Sequence, residues 1–181
     1  MDPASASETT DSGFVLWLMG PTSSGKNTIG EHLLERLRAN GTPSMHFDGD
    51  EVRAFFGEDL GFEVSDRQRV VATLVHLANK TSAAGVNVIV SALTASEDAR
   101  RLVLETVKNP IIVYVKCSIE TCAERDPKGL YALAKNGEID TLIGVNSDYL
   151  PPDNPDLVID TEDLSPAGAV DAIIRHLRQT G

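Results

Sequence analysis

The stretch Gly20, Pro21, Thr22, Ser23, Ser24, Gly25, Lys26, Asn27 and Thr28 leaves this chain few folds to choose from. It follows the apolar run Phe14 to Met19 and opens a segment with helical spacing. A G-x-x-x-x-G-K run between a strand and a helix predicts a phosphate-binding loop. Gly20 and Gly25 let the backbone bend around an anion, so that successive N–H groups and the positive end of the helix face the β- and γ-phosphates of a nucleotide. Lys26 adds a point charge within reach of the phosphate to be transferred. Asn27 breaks the pattern, because a hydroxyl that binds Mg²⁺ is expected after the lysine. An amide oxygen can serve the same hard ion. Thr28 does not take over, since adjacent helical residues point about 100° apart. Asn27 therefore leaves two readings open, a working metal site or a loop that binds nucleotide without catalysis.

Strand and helix signals alternate along the rest of the chain, which predicts an α/β fold with a parallel sheet covered by helices on both faces. The strands are expected at Phe14 to Met19, Ser44 to Phe47, Val86 to Leu93, Pro110 to Cys117 and Leu157 to Asp160. Helices are expected after Lys26, closing at Asn40 and Gly41, and over Ser65–Ala84, Ser96–Lys108, Ile119–Glu124 and Pro166–Gln179. Between Asp126 and Pro155 the chain is polar and rich in Gly and Pro, which predicts a lid over about 126–155. Residues 1–12 read as a disordered leader, and 13–181 as a single domain. The leader lacks the basic and apolar regions of a secretion signal, and no run is long and apolar enough for a membrane span, so a cytoplasmic protein with no membrane partner is expected. A net charge of −11 argues against a nucleic-acid partner. Cys117 and Cys122 fit no zinc spacing and read as buried thiols.

In open sheets of this type ligands bind beyond the carboxyl ends of the strands. There, Asp48 and Asp50 leave one strand end together. One could hold Mg²⁺ through water while the other acts as base, or the pair could be a turn and helix cap. Arg53 and Arg67 are candidates for clamping an anionic acceptor. Phe55, Phe56 and Phe62 are expected to pack in the core or under the lid, though one could serve a purine, and His46 is expected to be structural.

Together these residues resemble the adenylylsulfate kinase family, small P-loop kinases that phosphorylate the ribose 3′-hydroxyl of adenylylsulfate. The likeness runs from about Phe14 to Thr161. Asp48-Gly49-Asp50-Glu51-Val52-Arg53 matches the family's DGD-x-V-R element, and Asp59-Leu60-Gly61-Phe62 its D-L-G-F turn. Arg125-Asp126-Pro127-Lys128-Gly129-Leu130-Tyr131-Ala132 matches its lid, followed by Gly137-Glu138-Ile139 and by Asn154 to Thr161. The resemblance implies a homodimer that uses ATP and Mg²⁺, the ion near Asn27 and Asp48. It implies that Asp50 orients or deprotonates the acceptor hydroxyl. Asp48, Arg53, Phe62 and Arg67, with Lys128 and Leu130 of the lid, would contact the acceptor, a small nucleotide-like molecule. Two segments depart from the family. Its E-N-I-R-R run becomes Arg69-Val70-Val71-Ala72-Thr73, and its I-S-P-Y-R segment becomes Thr94-Ala95-Ser96-Glu97-Asp98. Each lost charged hydrogen bond costs about 1.5–3 kcal/mol, so weakened adenylylsulfate binding is expected. The best-supported function is an ATP-dependent kinase with adenylylsulfate as the best named acceptor. The alternatives are a different acceptor or a catalytically impaired regulatory subunit.

Overall fold

The structure, a computed structural model, describes residues 12–57 and 60–180. The proposed leader, apart from Ser12, and Asp59 of the D-L-G-F turn lie outside the described residues. Five parallel strands form one sheet in the order β2-β3-β1-β4-β5. They are β1 (Val15–Met19), β2 (Ser44–Asp48), β3 (Asn87–Ala92), β4 (Pro110–Lys116) and β5 (Leu157–Asp160). The helices are α1 (Lys26–Ala39), α2 (Gly49–Phe55), α3 (Val64–Ala83), α4 (Glu97–Thr106), α5 (Ile119–Arg125), α6 (Leu130–Lys135) and α7 (Pro166–Thr180).

Side chains alternate across a strand, and β1 shows what that does when both faces are covered. Val15, Trp17 and Met19 enter one core with Leu74 of α3 and Val103 of α4. Leu16 and Leu18 enter the other with Ile29 and Leu33 of α1 and Ile173 of α7. All five residues of β1 are buried, which is why the sequence there reads as a continuous apolar run. Burial of each such side chain stabilises by about 1.5–3 kcal/mol.

The strand order reverses beside β1, with β3 on one side and β4 on the other. Crossovers leaving β1 and β3 therefore diverge and open a crevice at the carboxyl edge. Register sets Met19 beside Ala92 and Asp48 beside Ser91, so the chain leaves β1, β2 and β3 into one crevice.

Two elements differ from expectation. The polar stretch after β2 contains the seven-residue helix α2, capped by Asp48. It is too short and charged to show a helical apolar stripe. Segment 126–155 contains α6, whose Tyr131 and Ala134 pack with Cys117, Cys122 and Leu142 in a small third core. Both cysteines are free and buried, and burial pushes the Cys122 thiol up to about 12, which keeps it protonated and unreactive.

Candidate active site

Two residues shape the loop between β1 and α1. Gly25 has φ +97° and sits at the N-cap of α1, a conformation that favours glycine. The other left-handed residue is Ser23, at φ +64°. Gly20 serves differently from the expected bend. A Cβ there would lie 2.4 Å from the Val115 carbonyl oxygen, so the residue permits close approach to β4. Left-handed turns of this kind turn successive N–H groups inward as an anion nest. Ser23 Oγ is buried with no hydrogen-bond partner. A buried hydroxyl left in that state points to a ligand oxygen.

Lys26 is buried, and its ammonium donates to the carbonyls of Gly20 (2.9 Å) and Pro21 (2.6 Å). Burial lowers its pKa to about 8, while Asp50, Cys122 and Asp48 oppose the shift. Gly20, Pro21 and Ser24 thus support the lysine from behind. Thr22, Ser23, Gly25, Lys26, Asn27 and Thr28 line a cleft of about 900 Å³.

Beside the loop, Asp48 and Asp50 line the same cleft, and Asp48 both touches Asn27 and caps a helix. Its Oδ1 accepts from the Asp50 N–H at 2.9 Å, capping α2. Its Oδ2 accepts from the Asn27 amide. Burial pushes the Asp48 carboxyl above its usual range, partly offset by the Asp50 N–H. Asp50 projects further out and forms an ion pair with Lys128. The oxygen donors Asn27 and Asp48 suit a hard ion such as Mg²⁺, which keeps several waters and needs few protein ligands. No cluster of three His, Cys, Asp or Glu occurs among the described residues.

The far wall holds the acceptor candidates. Arg53 donates to the Gly61 carbonyl and lies 4.7 Å from the centroid of the Phe62 ring. Arg67 donates through Nε to the Phe62 carbonyl (2.9 Å) and through a terminal nitrogen to the Thr141 carbonyl (2.6 Å). It thereby ties α3 to the segment after α6. Lys128 and Leu130 line the same cleft. Phe56 packs against the core as expected. Phe55 is 86% exposed and Phe62 53% exposed. Phe62 lines the cleft, where the resemblance puts it, whereas the exposure of Phe55, at the end of the short, charged α2, corrects its expected packing.

The departing segments divide by helical phase. Val70 and Val71 line the cleft, as do Thr94, Ala95 and Ser96. Ala72 and Thr73 do not, because each helical step turns about 100°. Of the three polar groups missing from 69–73, then, only the one at Val70 would have faced the acceptor. The expected loss of binding shrinks accordingly. Thr94 is buried at φ +42°, and its hydroxyl accepts from the Trp17 indole at 3.0 Å.

Sequence reasoning overlooked three supports. Thr161 Oγ1 donates to the Ser24 carbonyl at 3.0 Å, Arg125 donates to Thr161, and Tyr131 Oη donates to the Thr22 carbonyl at 2.9 Å. The position of Thr161, immediately beyond the last strand, was the available signal. His46 bonds Ser91 Oγ at 2.8 Å beneath Gly30, a packing role as expected.

Comparison with known proteins agrees with this geometry. Residues 12–160 match the family described as adenylylsulphate kinase. The adenylyl-sulfate kinase of Deinococcus deserti is 36% identical over 170 residues, covering 94% of each chain. That of Bacillus licheniformis is 40% identical over 149 residues, 81% of this chain and 76% of the relative. The APS kinase CysC of Mycobacterium tuberculosis, solved in complex with AMPPNP and APS, superposes with a TM-score of 0.85 at 31% identity, covering 92% and 98%.

Proposed function

Because the chain belongs to the adenylylsulphate kinase family, we propose that it transfers the γ-phosphate of ATP to the ribose 3′-hydroxyl of adenylylsulfate. It is a P-loop phosphotransferase with a hydroxyl acceptor, and ATP, Mg²⁺ and this acceptor are the finer reading. One observation carries it. One cleft is lined both by the phosphate loop and by the acceptor candidates Arg53, Phe62, Arg67 and Lys128, together with Asp50.

Phosphoryl transfer is mostly positioning and charge stabilisation. The N–H groups around Gly25 and the Lys26 ammonium hold the β- and γ-phosphates, and the lysine turns from its carbonyl partners towards the ligand. Asn27 and Asp48 would hold Mg²⁺, which would supply neutralisation of phosphate charge. Phe62 offers a face for the acceptor base, and Arg53 and Arg67 offer donors to its anionic group. Asp50 accepts a hydrogen bond from the attacking hydroxyl and takes its proton. Lys128, released from Asp50, moves onto phosphate. Segment 126–155 acts as a lid that excludes water. The working unit is a homodimer, as the resemblance implies, and the cytoplasm is the compartment proposed for it.

The test is an ADP-release assay across adenylylsulfate, other nucleotides and simple phosphorylated alcohols, with ATP and Mg²⁺. Adenylylsulfate should give the highest kcat/KM. Turnover with another acceptor alone overturns the assignment, and ATP binding without transfer to any acceptor favours the regulatory alternative that Asn27 suggests.

A further inference from the structure

Asn27 is one of the residues that depart from the expected pattern, and its contact with Asp48 gives it a defined orientation. A carboxylate accepts hydrogen bonds and donates none. The Asn27 amide nitrogen therefore lies on Asp48 Oδ2, and the planar amide turns its Oδ1 away from that carboxylate. Asn27 lines the cleft, and among the described residues its Oδ1 accepts no hydrogen bond. Each Asp48 oxygen already accepts one hydrogen bond, Oδ2 from Asn27 and Oδ1 from the Asp50 N–H at 2.9 Å. The two side chains thus divide the work in a way that the pair of candidate ligands did not reveal. One has a free, hard oxygen, and the other has its oxygens engaged in holding neighbours.

We propose that Asn27 Oδ1 replaces the usual hydroxyl as the protein ligand of the nucleotide-bound divalent cation, and that Asp48 acts on the cation only by fixing the Asn27 amide. Asp48 is then a positioning residue. An amide without that partner could also turn its NH₂ group toward the site. A carboxylate partner removes that state, just as partners beyond the metal ligands commonly fix ligand orientation and alter metal affinity by about 10–100-fold when lost. This inference rests on the reading of the cleft as an ATP site.

The experiment measures ATP dissociation constants by calorimetry in EDTA and in Mg²⁺, and takes their ratio as the cation coupling. It uses the full chain, Asn27→Ala, Asp48→Ala and the double variant. Each single substitution should lower the coupling about tenfold, and the double variant should match Asn27→Ala, because Asp48 has nothing left to orient. Asp48→Asn, which keeps one acceptor oxygen for the Asp50 N–H, gives the same comparison if the alanine variant does not fold. Losses that add in the double variant would make Asp48 an independent participant and overturn the proposal, as would an unchanged coupling in Asn27→Ala. Absence of ATP binding to the unsubstituted chain in either buffer would instead overturn the ATP reading itself.

Discussion

Raising the pH should loosen the grip of Lys26 on ATP, and the size of the effect follows from where the lysine sits. Burial lowers its pKa from the ordinary 10.5 to about 8, with Asp50, Cys122 and Asp48 opposing the shift. A triphosphate against the amine favours the charged form and raises the pKa again. Binding therefore takes up a proton wherever the pH lies between about 8 and the value in the complex. At pH 9, one unit above the free value, roughly nine-tenths of the free lysine is neutral, so binding takes up about 0.9 proton. Apparent affinity at pH 9 should fall about tenfold below its plateau, the 1.36 kcal/mol carried by one pKa unit. At pH 7 about a tenth of the lysine is neutral, so Lys26 itself adds little further change below that. Calorimetry at pH 7 and 9, in buffers of different ionisation enthalpy, reads both the affinity and the proton count. No proton uptake at pH 9, with equal affinity at both values, would refute the placement of Lys26 as a desolvated phosphate ligand. The sign for folding is also set. The burial penalty is fully present below about pH 8 and fades as the pH rises to 10.5, so this group alone makes the folded state more stable across that window.

Three further outcomes are expected. Asp50→Asn should lower kcat by about 10²–10⁴-fold, the usual share of a general base, while ATP affinity in calorimetry stays within a few-fold. Activity that survives almost intact would remove Asp50 from the base role. Val70→Asn returns a polar group to the one departing position of α3 that faces the acceptor, and should lower the KM for adenylylsulfate about tenfold, corresponding to roughly 1.5 kcal/mol. An unchanged KM would mean that Val70 is not near the acceptor. Gly20→Ala drives a Cβ to 2.4 Å from the Val115 carbonyl oxygen, and should cost about 1–3 kcal/mol of stability in urea denaturation. Wild-type stability would show that the loop can move away from β4.

How much was legible in the sequence depended on how much of the physics was local. Three of the five strands, β1, β3 and β4, could be read because they are largely buried and need apolar runs. The phosphate loop could be read because its glycines and lysine carry the chemistry within a single turn. Gly20 was legible as a requirement but not in its cause, since the clash that excludes a side chain comes from Val115, far along the chain. The helix α2 was hidden because seven residues capped by Asp48 show no periodicity. Ala72 and Thr73 looked like lost acceptor contacts until helical phase turned them away from the cleft. The joint role of Asn27 and Asp48 was invisible for the same reason as the ties of Thr161 and Tyr131 to the loop. Each is a contact between distant segments that only the folded sheet brings together.

The most direct test of the account is to incubate the protein with ATP, Mg²⁺ and adenylylsulfate and locate the transferred phosphorus by NMR and mass spectrometry. The account predicts one new phosphomonoester on the ribose 3′ oxygen for each ADP formed. ATP consumed only to free phosphate, or adenylylsulfate recovered unmodified while ATP remains bound, would contradict it.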